Sequence, residues 1–187
     1  MRRNILAWTA LVAASSMLLV SHANAVEKFH ATLTGFEEIG GLGAGETGAI
    51  FSPGNGTLDL VLNDELHTIS FTLTYSGFST PVLKAHIHFG KEHVAGGVMV
   101  FFCTSDPMDT PPPGTQTCPS PSGTVTGTLT MGSVVGPTKQ NVPVGDFDAV
   151  VAALRSNTAY ANTHTAAFPS GEIRGQIRRP DNNGTGR

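Results

Sequence analysis

The sequence predicts an all-β protein: an antiparallel β-sandwich or barrel of about eight or nine strands with one short helix. The first observation behind this prediction is composition, because glycine (22 of 187 residues) and proline (12) are abundant while charged residues make up only 13%. The second is that apolar and polar residues alternate in many short segments, as in strands that bury one face. Turn residues separate these segments at short intervals, which is typical of sandwiches and barrels.

The alternation is clearest in two segments. In EKFHATLTG one face consists of Phe29, Ala31 and Leu33. In LHTISFTLTY one face consists of Ile69, Phe71, Leu73 and Tyr75. Threonines and other polar residues occupy the opposite faces. The same pattern predicts further strands, which are in chain order TGAIF, GTLDLVL, KAHIHFG, GGVMVFF, GTVTGTLTM, AYANTHT and GEIRGQI.

One segment, GDFDAVVAALRSN, has helical periodicity instead. Asp146 is placed as an N-cap and Asn157 lies near the end of the segment. Between them four apolar residues recur at helical spacing: Phe147, Val150, Val151 and Leu154. We expect this helix to cover an open end or an edge of the sheet.

The N-terminal segment of the chain predicts export. Residues 1–25 combine two arginines, an apolar stretch and a small-residue Ala23-Asn24-Ala25 site, which together indicate a cleaved signal peptide. The apolar stretch is shorter than the roughly 20 residues that a membrane-spanning helix needs, and no later stretch is long enough. We therefore expect one secreted or periplasmic β domain over residues 26–179, with no membrane span, followed by a disordered tail over residues 180–187.

The charge balance excludes one class of partner. The chain has 11 Lys and Arg residues against 14 Asp and Glu, a formal net charge of −3, and loss of the leader makes it more negative by two. Nucleic-acid binding requires a cationic surface, so no nucleic acid is expected as a partner. We expect a monomer whose partner is an extracellular protein or ligand that the sequence does not identify.

The chain contains two cysteines, Cys103 and Cys118. An even number of cysteines in an exported protein predicts a disulfide, here one that closes a proline-rich excursion, TSDPMDTPPPGTQT. Three consecutive prolines without amide hydrogens exclude regular structure in this excursion. A metal site with two thiolates is the alternative, but the wide spacing without a neighbouring histidine argues against it.

The histidines define the candidate site. Strand parity places His86 and His88 of KAHIHFG on the same face of one strand. The short linker TAAFPSG predicts that the last two strands form a hairpin. Symmetric pairing about that linker gives three cross-strand pairs: His164 with Glu172, Asn162 with Arg174, and Tyr160 with Gln176.

Three segments together, HIHFG, GGVMVFF and YANTHTAAFPSGEIRGQI, resemble the landmarks of the CHRD domain, which is named after chordin and occurs in secreted bacterial proteins. The resemblance covers about residues 29–178. It implies an extracellular β-rich module. The growth-factor binding of chordin is not carried over to this chain, and the disulfide-closed excursion at residues 103–118 is an addition to the family's core pattern.

One hypothesis for the histidines is a copper or zinc site made by His86, His88 and His164. Imidazole is the commonest neutral ligand of both metals, and three imidazoles leave a coordination position open. Glu172 and His93 are candidates for a further ligand. The HIH pair also resembles the copper ligands of copper-zinc superoxide dismutases, but the bridging histidine and the aspartate of that family have no counterpart here.

The alternative hypothesis is a hydrogen-bonded polar network, including Asn162 and Arg174, which fixes strand register without metal. Arg174 favours this alternative, because its guanidinium close to Glu172 would form an ion pair and would repel a cation. The chain has no Gly-x-Ser-x-Gly, phosphate-loop or His-Glu-x-x-His motif, which argues against an enzyme. Two functions therefore stay open: a secreted binding or structural module, and a periplasmic or extracellular metal-binding protein that would be redox-active if the metal is copper.

Overall fold

The computed structural model of the chain describes residues 26–39 and 48–180. The predicted signal peptide and, apart from Pro180, the predicted disordered tail lie outside these residues. The described residues form one antiparallel sheet of eight strands that curls into a nearly closed barrel, with one α-helix. The predicted all-β fold class is confirmed.

The strands are β1 (Glu27–Thr34), β2 (Asn55–Asn63), β3 (Thr68–Ser76), β4 (Val82–Phe89), β5 (Gly97–Thr104), β6 (Gly123–Leu129), β7 (Ala159–Thr165) and β8 (Ile173–Gln176). The helix α1 spans Phe147–Arg155, and three single 3-10 turns occur at Gly35–Glu37, Met131–Ser133 and Thr138–Gln140. Across the sheet the order is β5-β4-β7-β8-β1-β2-β3-β6, and every neighbouring pair is antiparallel.

The two end strands, β5 and β6, approach each other at a seam. Residues outside the named strands continue the pairing there, through bridges from Val100 to Val134 and from Cys103 to Gln116. The side-chain amide of Gln116 also donates to the carbonyl of Thr126 in β6, at 2.8 Å. The sheet therefore closes through side chains and short bridges, and its inward faces form a single core.

Strand parity holds well in β2 and β3. Leu58, Leu60 and Leu62 are at most 1% exposed, while Asp59 and Val61 between them are exposed. β7 differs, because all seven of its residues are buried. Its core-facing alanines belong to the barrel interior, and its outer, polar face is covered by the loops at residues 36–39, 90–96 and 166–172. A buried polar face on the outside of the barrel wall is the setting of the candidate site.

One predicted strand does not form. In TGAIF the described residues 48–51 are outside the sheet, and Phe51 is 94% exposed. The amide of Ile50 donates to the carbonyl of Gly35 at 2.7 Å, but the segment then runs into Pro53, which has no amide hydrogen to continue a ladder. Alternation of residue type alone does not distinguish such a single contact from a strand.

The predicted helix is confirmed. The side chain of Asp146 accepts a hydrogen bond from the Ala149 amide at 2.9 Å, and so caps α1 at its N-terminus. Arg155 in the last turn pairs with Glu27 at the start of β1 and with Asp64 in the turn after β2. The helix therefore covers the end of the barrel at which these residues lie.

The predicted disulfide between Cys103 and Cys118 is present, with the two Cα atoms 5.0 Å apart. Both cysteines are buried against the core. The excursion that they close is anchored a second time, since the ammonium group of Lys84 lies 2.8 Å from the carboxylates of both Asp106 and Asp109. The bridge therefore joins β5 to an ordered loop beside the seam.

Replacing both cysteines by alanine should lower the free energy of unfolding by about 3 kcal/mol, because the unfolded chain loses a cross-link between residues 15 positions apart. Urea denaturation of the exported protein measures this change, with far-UV circular dichroism to check that the sheet is retained. A free energy of unfolding within about 0.5 kcal/mol of the wild-type value would contradict it.

Candidate metal centre

The outer face of β4 and β7 brings three histidines together. His86 and His88 come from β4, and His164 comes from β7, which pairs with β4 in antiparallel register. One ring nitrogen from each histidine lies within 4.8 Å of the others. All three side chains are buried, with exposed fractions of 3%, 9% and 7%. Among the described residues, the three histidines form a group that could bind a metal ion.

Two of the histidines have a defined tautomer. Nδ1 of His88 lies 2.9 Å from the carbonyl oxygen of Gly96, and Nδ1 of His164 lies 2.9 Å from that of Pro169. A carbonyl only accepts hydrogen bonds, so each Nδ1 carries the hydrogen and donates it. Nε2 of both rings is therefore the unprotonated atom that carries the lone pair, which is how protein carbonyls orient histidine ligands of metals.

The third ring, that of His86, connects to the other two. Its Nδ1 lies 3.3 Å from Nε2 of His164. Within the part of the chain that the structure describes, Nε2 of His86 and Nε2 of His88 are buried without a hydrogen-bond partner. Buried nitrogen atoms without partners are costly, and a bound cation would satisfy the lone pair on Nε2 of His88.

Burial keeps these histidines neutral. It lowers the pKa of His86 well below its usual range, and the neighbouring His164, His88 and Lys84 lower it further. Burial likewise lowers the pKa of His88 to about 3 and that of His164 to about 4. Above about pH 5 a metal ion would not have to displace protons from these ligands.

Aromatic rings pack against the cluster. Phe101 meets His86 nearly perpendicularly, with ring centroids 4.4 Å apart. Tyr160 stacks on His88, with centroids 4.8 Å apart and ring planes 6° from parallel. These contacts fix the orientation of the imidazole rings and contribute to the burial that lowers their pKa values.

Arg174 lies at the edge of the cluster and is only 2% exposed. Its Cζ is 3.4 Å from the centre of the Tyr160 ring, and its Nη2 donates to the carbonyl oxygens of Lys91 and Val94 at 3.1 and 3.2 Å. The expected ion pair between Arg174 and Glu172 is not among the ion pairs of the described residues. Burial lowers the pKa of Arg174, and nearby carboxylates oppose that shift.

Glu172 does not join the histidines, although the hairpin was expected to pair it with His164. The pairs of Asn162 with Arg174 and of Tyr160 with Gln176 form as predicted, but the backbone amide of Glu172 donates to the Thr163 carbonyl at 2.8 Å. A one-residue shift in register moves a side chain to the other face of a sheet.

The Glu172 carboxylate is therefore held elsewhere. It accepts hydrogen bonds from the hydroxyls of Ser52 and Thr165, each at 2.5 Å. Thr165 alternates with His164 along β7 and faces the other way. Glu172 thus lies on the opposite side of the sheet from the histidine cluster.

His93 also stays outside the cluster. Its side chain is 70% exposed and lies 3.9 Å from Glu92. The loop after β4 carries it outward, at a residue with a positive φ of 59°. In this structure it is not a further ligand.

Glu38 is a member of the site that sequence reasoning missed. It is 4% exposed, and Nδ2 of Asn162 donates to its carboxylate. In the sequence it lies in a glycine-rich segment that reads as a loop, and no local pattern predicts that this loop folds over β7. Because Glu38 is far from the three histidines in sequence, only the tertiary structure identifies its buried carboxylate as part of the site.

A cavity of about 130 Å³ lies between these groups. Of the three histidines, His88 lines it. The polar side chains that share it are Glu38, Tyr160, Asn162, Ser170 and Arg174.

The fold and site define a β-barrel module with a buried histidine cluster on the outside of its barrel wall. The family model of the CHRD domain matches residues 29–177, so the chain belongs to the CHRD domain family, as its motifs predicted. This family is consistent with a binding or structural module located outside the cytoplasm. No curated protein and no solved structure matched the chain. In the described part of the chain, no helix has both the length and the apolarity to cross a membrane.

The histidines should make the stability of the metal-free protein depend on pH. Because the folded state holds the pKa values of His88 and His164 at about 3 and 4, against 6.5 for free histidine, the unfolded chain takes up protons first as the pH falls. The free energy of unfolding should therefore fall between about pH 6.5 and about pH 4, by up to about 1.4 kcal/mol per pH unit for each buried histidine.

Urea denaturation of wild type and His164→Gln across this pH range measures the effect, and the variant should show the shallower dependence. His67→Gln is the matched control, because the His67 side chain is 65% exposed. Equal pH dependence in wild type and His164→Gln would rule out a neutral buried His164.

Proposed function

We propose that this protein binds a transition-metal ion, zinc or copper, through His86, His88 and His164 in an extracytoplasmic compartment. The observation that carries the proposal is that three buried, neutral imidazoles converge, with Nε2 of His88 lacking a partner among the described residues. Backbone carbonyls already fix the tautomers of His88 and His164.

The spacing of the ligand atoms supports a metal. In tetrahedral geometry, two nitrogen ligands at about 2.05 Å from a zinc ion lie about 3.3 Å from each other. Nδ1 of His86 and Nε2 of His164 are separated by 3.3 Å, and one ring nitrogen from each of the three histidines lies within 4.8 Å of the others. Small side-chain rotations would therefore bring all three to a common centre.

Three protein ligands leave a fourth position open for water or another small molecule. With copper the site would alternate between two oxidation states and so support electron transfer. With zinc it would hold the metal without redox chemistry. Export is part of the proposal, because the disulfide and the family both favour an oxidising compartment.

A second function is favoured by the polar contacts around the cluster. Arg174 ties the loop at residues 91–94 to the barrel wall, and Asn162 does the same for Glu38. Such contacts would shape a secreted, monomeric module that binds an extracellular partner without metal. In that case the histidines would serve only as part of a buried network.

Metal titration separates the two functions. The mature protein, purified without a histidine tag, should bind one equivalent of Zn²⁺ or Cu²⁺, and His88→Ala should weaken binding by at least about 100-fold because a ligand is lost. Competition with a chromophoric chelator measures both affinities.

The control is His93→Ala, which removes an exposed histidine of the adjacent loop and should leave the affinity unchanged. If wild type binds neither metal, or if His88→Ala binds as tightly as wild type, the metal proposal fails and the second function stands.

A further inference from the structure

The cavity beside His88 contains a cationic group that metal binding by the histidines does not use. Nη2 of Arg174 is occupied by two backbone carbonyls, but Nη1 is buried and, among the described residues, has no hydrogen-bond partner. A buried guanidinium nitrogen without an acceptor is costly. The side chain lines the same cavity as His88.

The charges around the site are unbalanced once a metal is bound. All three proposed ligands are neutral imidazoles, so a divalent ion would keep its full charge in a buried position. The guanidinium of Arg174 adds a further positive charge, and the carboxylate of Glu38 offsets only one. Buried charge needs compensation, and no carboxylate of the described residues belongs to the histidine group.

We infer that the cavity binds a small monovalent anion, held by Nη1 of Arg174, beside the metal bound by the histidines. This inference rests on the proposed metal site. Anions of the class of formate, nitrate or hydrogencarbonate have charged oxygen atoms that can accept a hydrogen bond from Nη1 alone. Glu38 in the same cavity disfavours anions of higher charge.

The size of the cavity agrees with this class. Its volume of about 130 Å³ has room for a few water molecules, or for an anion of three or four heavy atoms. Asn162 and Ser170, which also line it, provide further polar groups. A larger organic anion would be excluded.

Because both sites are coupled by charge, the anion should strengthen metal binding, and by thermodynamic linkage the metal should strengthen anion binding. The test is the affinity of the mature protein for Zn²⁺ in sodium formate and in sodium p-toluenesulfonate at equal ionic strength. The sulfonate is too large for the cavity. We expect zinc to bind about tenfold more tightly in formate.

Arg174→Gln should bind zinc in the sulfonate and lose the formate effect. Arg178→Gln is the matched control, because Arg178 is an exposed arginine paired with Glu92, and it should keep the full effect. Circular dichroism and thermal unfolding check that Arg174→Gln is folded. If it is not, Arg174→Lys replaces it, and the formate effect should fall because lysine has a single nitrogen in place of Nη1 and Nη2.

The outcomes are distinct. Zinc binding of equal strength in both salts overturns the anion site and leaves the metal proposal intact. A formate effect of wild-type size in the folded Arg174 variant also overturns it, because the anion would then be held elsewhere. Failure of wild type to bind metal in either salt overturns the metal proposal and the anion site together.

Discussion

The pairing of β4 with β7 is the constraint on which the site depends. This ladder places alternate residues of both strands in the core, and so it forces their histidines onto a single outer face. Loops then cover that face and remove it from water. The depressed histidine pKa values, the unpartnered ring nitrogens and the buried arginine all follow from this cover, since none of them would arise on a solvated strand.

How far the sequence predicts this arrangement depends on the range of the interaction. The period-two pattern identified all eight strands, and helical spacing with an N-cap identified α1, because alternation and helix capping are local properties. The same parity placed His86 and His88 together. The alternating pattern wrongly predicted a strand at TGAIF. This segment makes one backbone hydrogen bond to Gly35, and the proline that follows cannot continue a ladder.

The errors in the site have non-local causes. Glu172 was expected beside His164, but a shift in register at the end of the hairpin turns its carboxylate to Ser52 and Thr165. Sequence symmetry about a loop does not encode such a shift. Glu38 was missed because its burial depends on a loop folding back over β7, and nothing in the residues around it indicates which strand that loop will cover.

The seam between β5 and β6 has a consequence for self-association of the protein. An open sheet exposes rows of unpaired amides and carbonyls, which other chains can join. Here the proline-rich excursion lies along β5, and Gln116 within it pairs with Cys103 by its backbone and with β6 by its side chain. The excursion thus covers part of the sheet edge, and the disulfide fixes its position against β5. Self-association through this edge is thereby disfavoured.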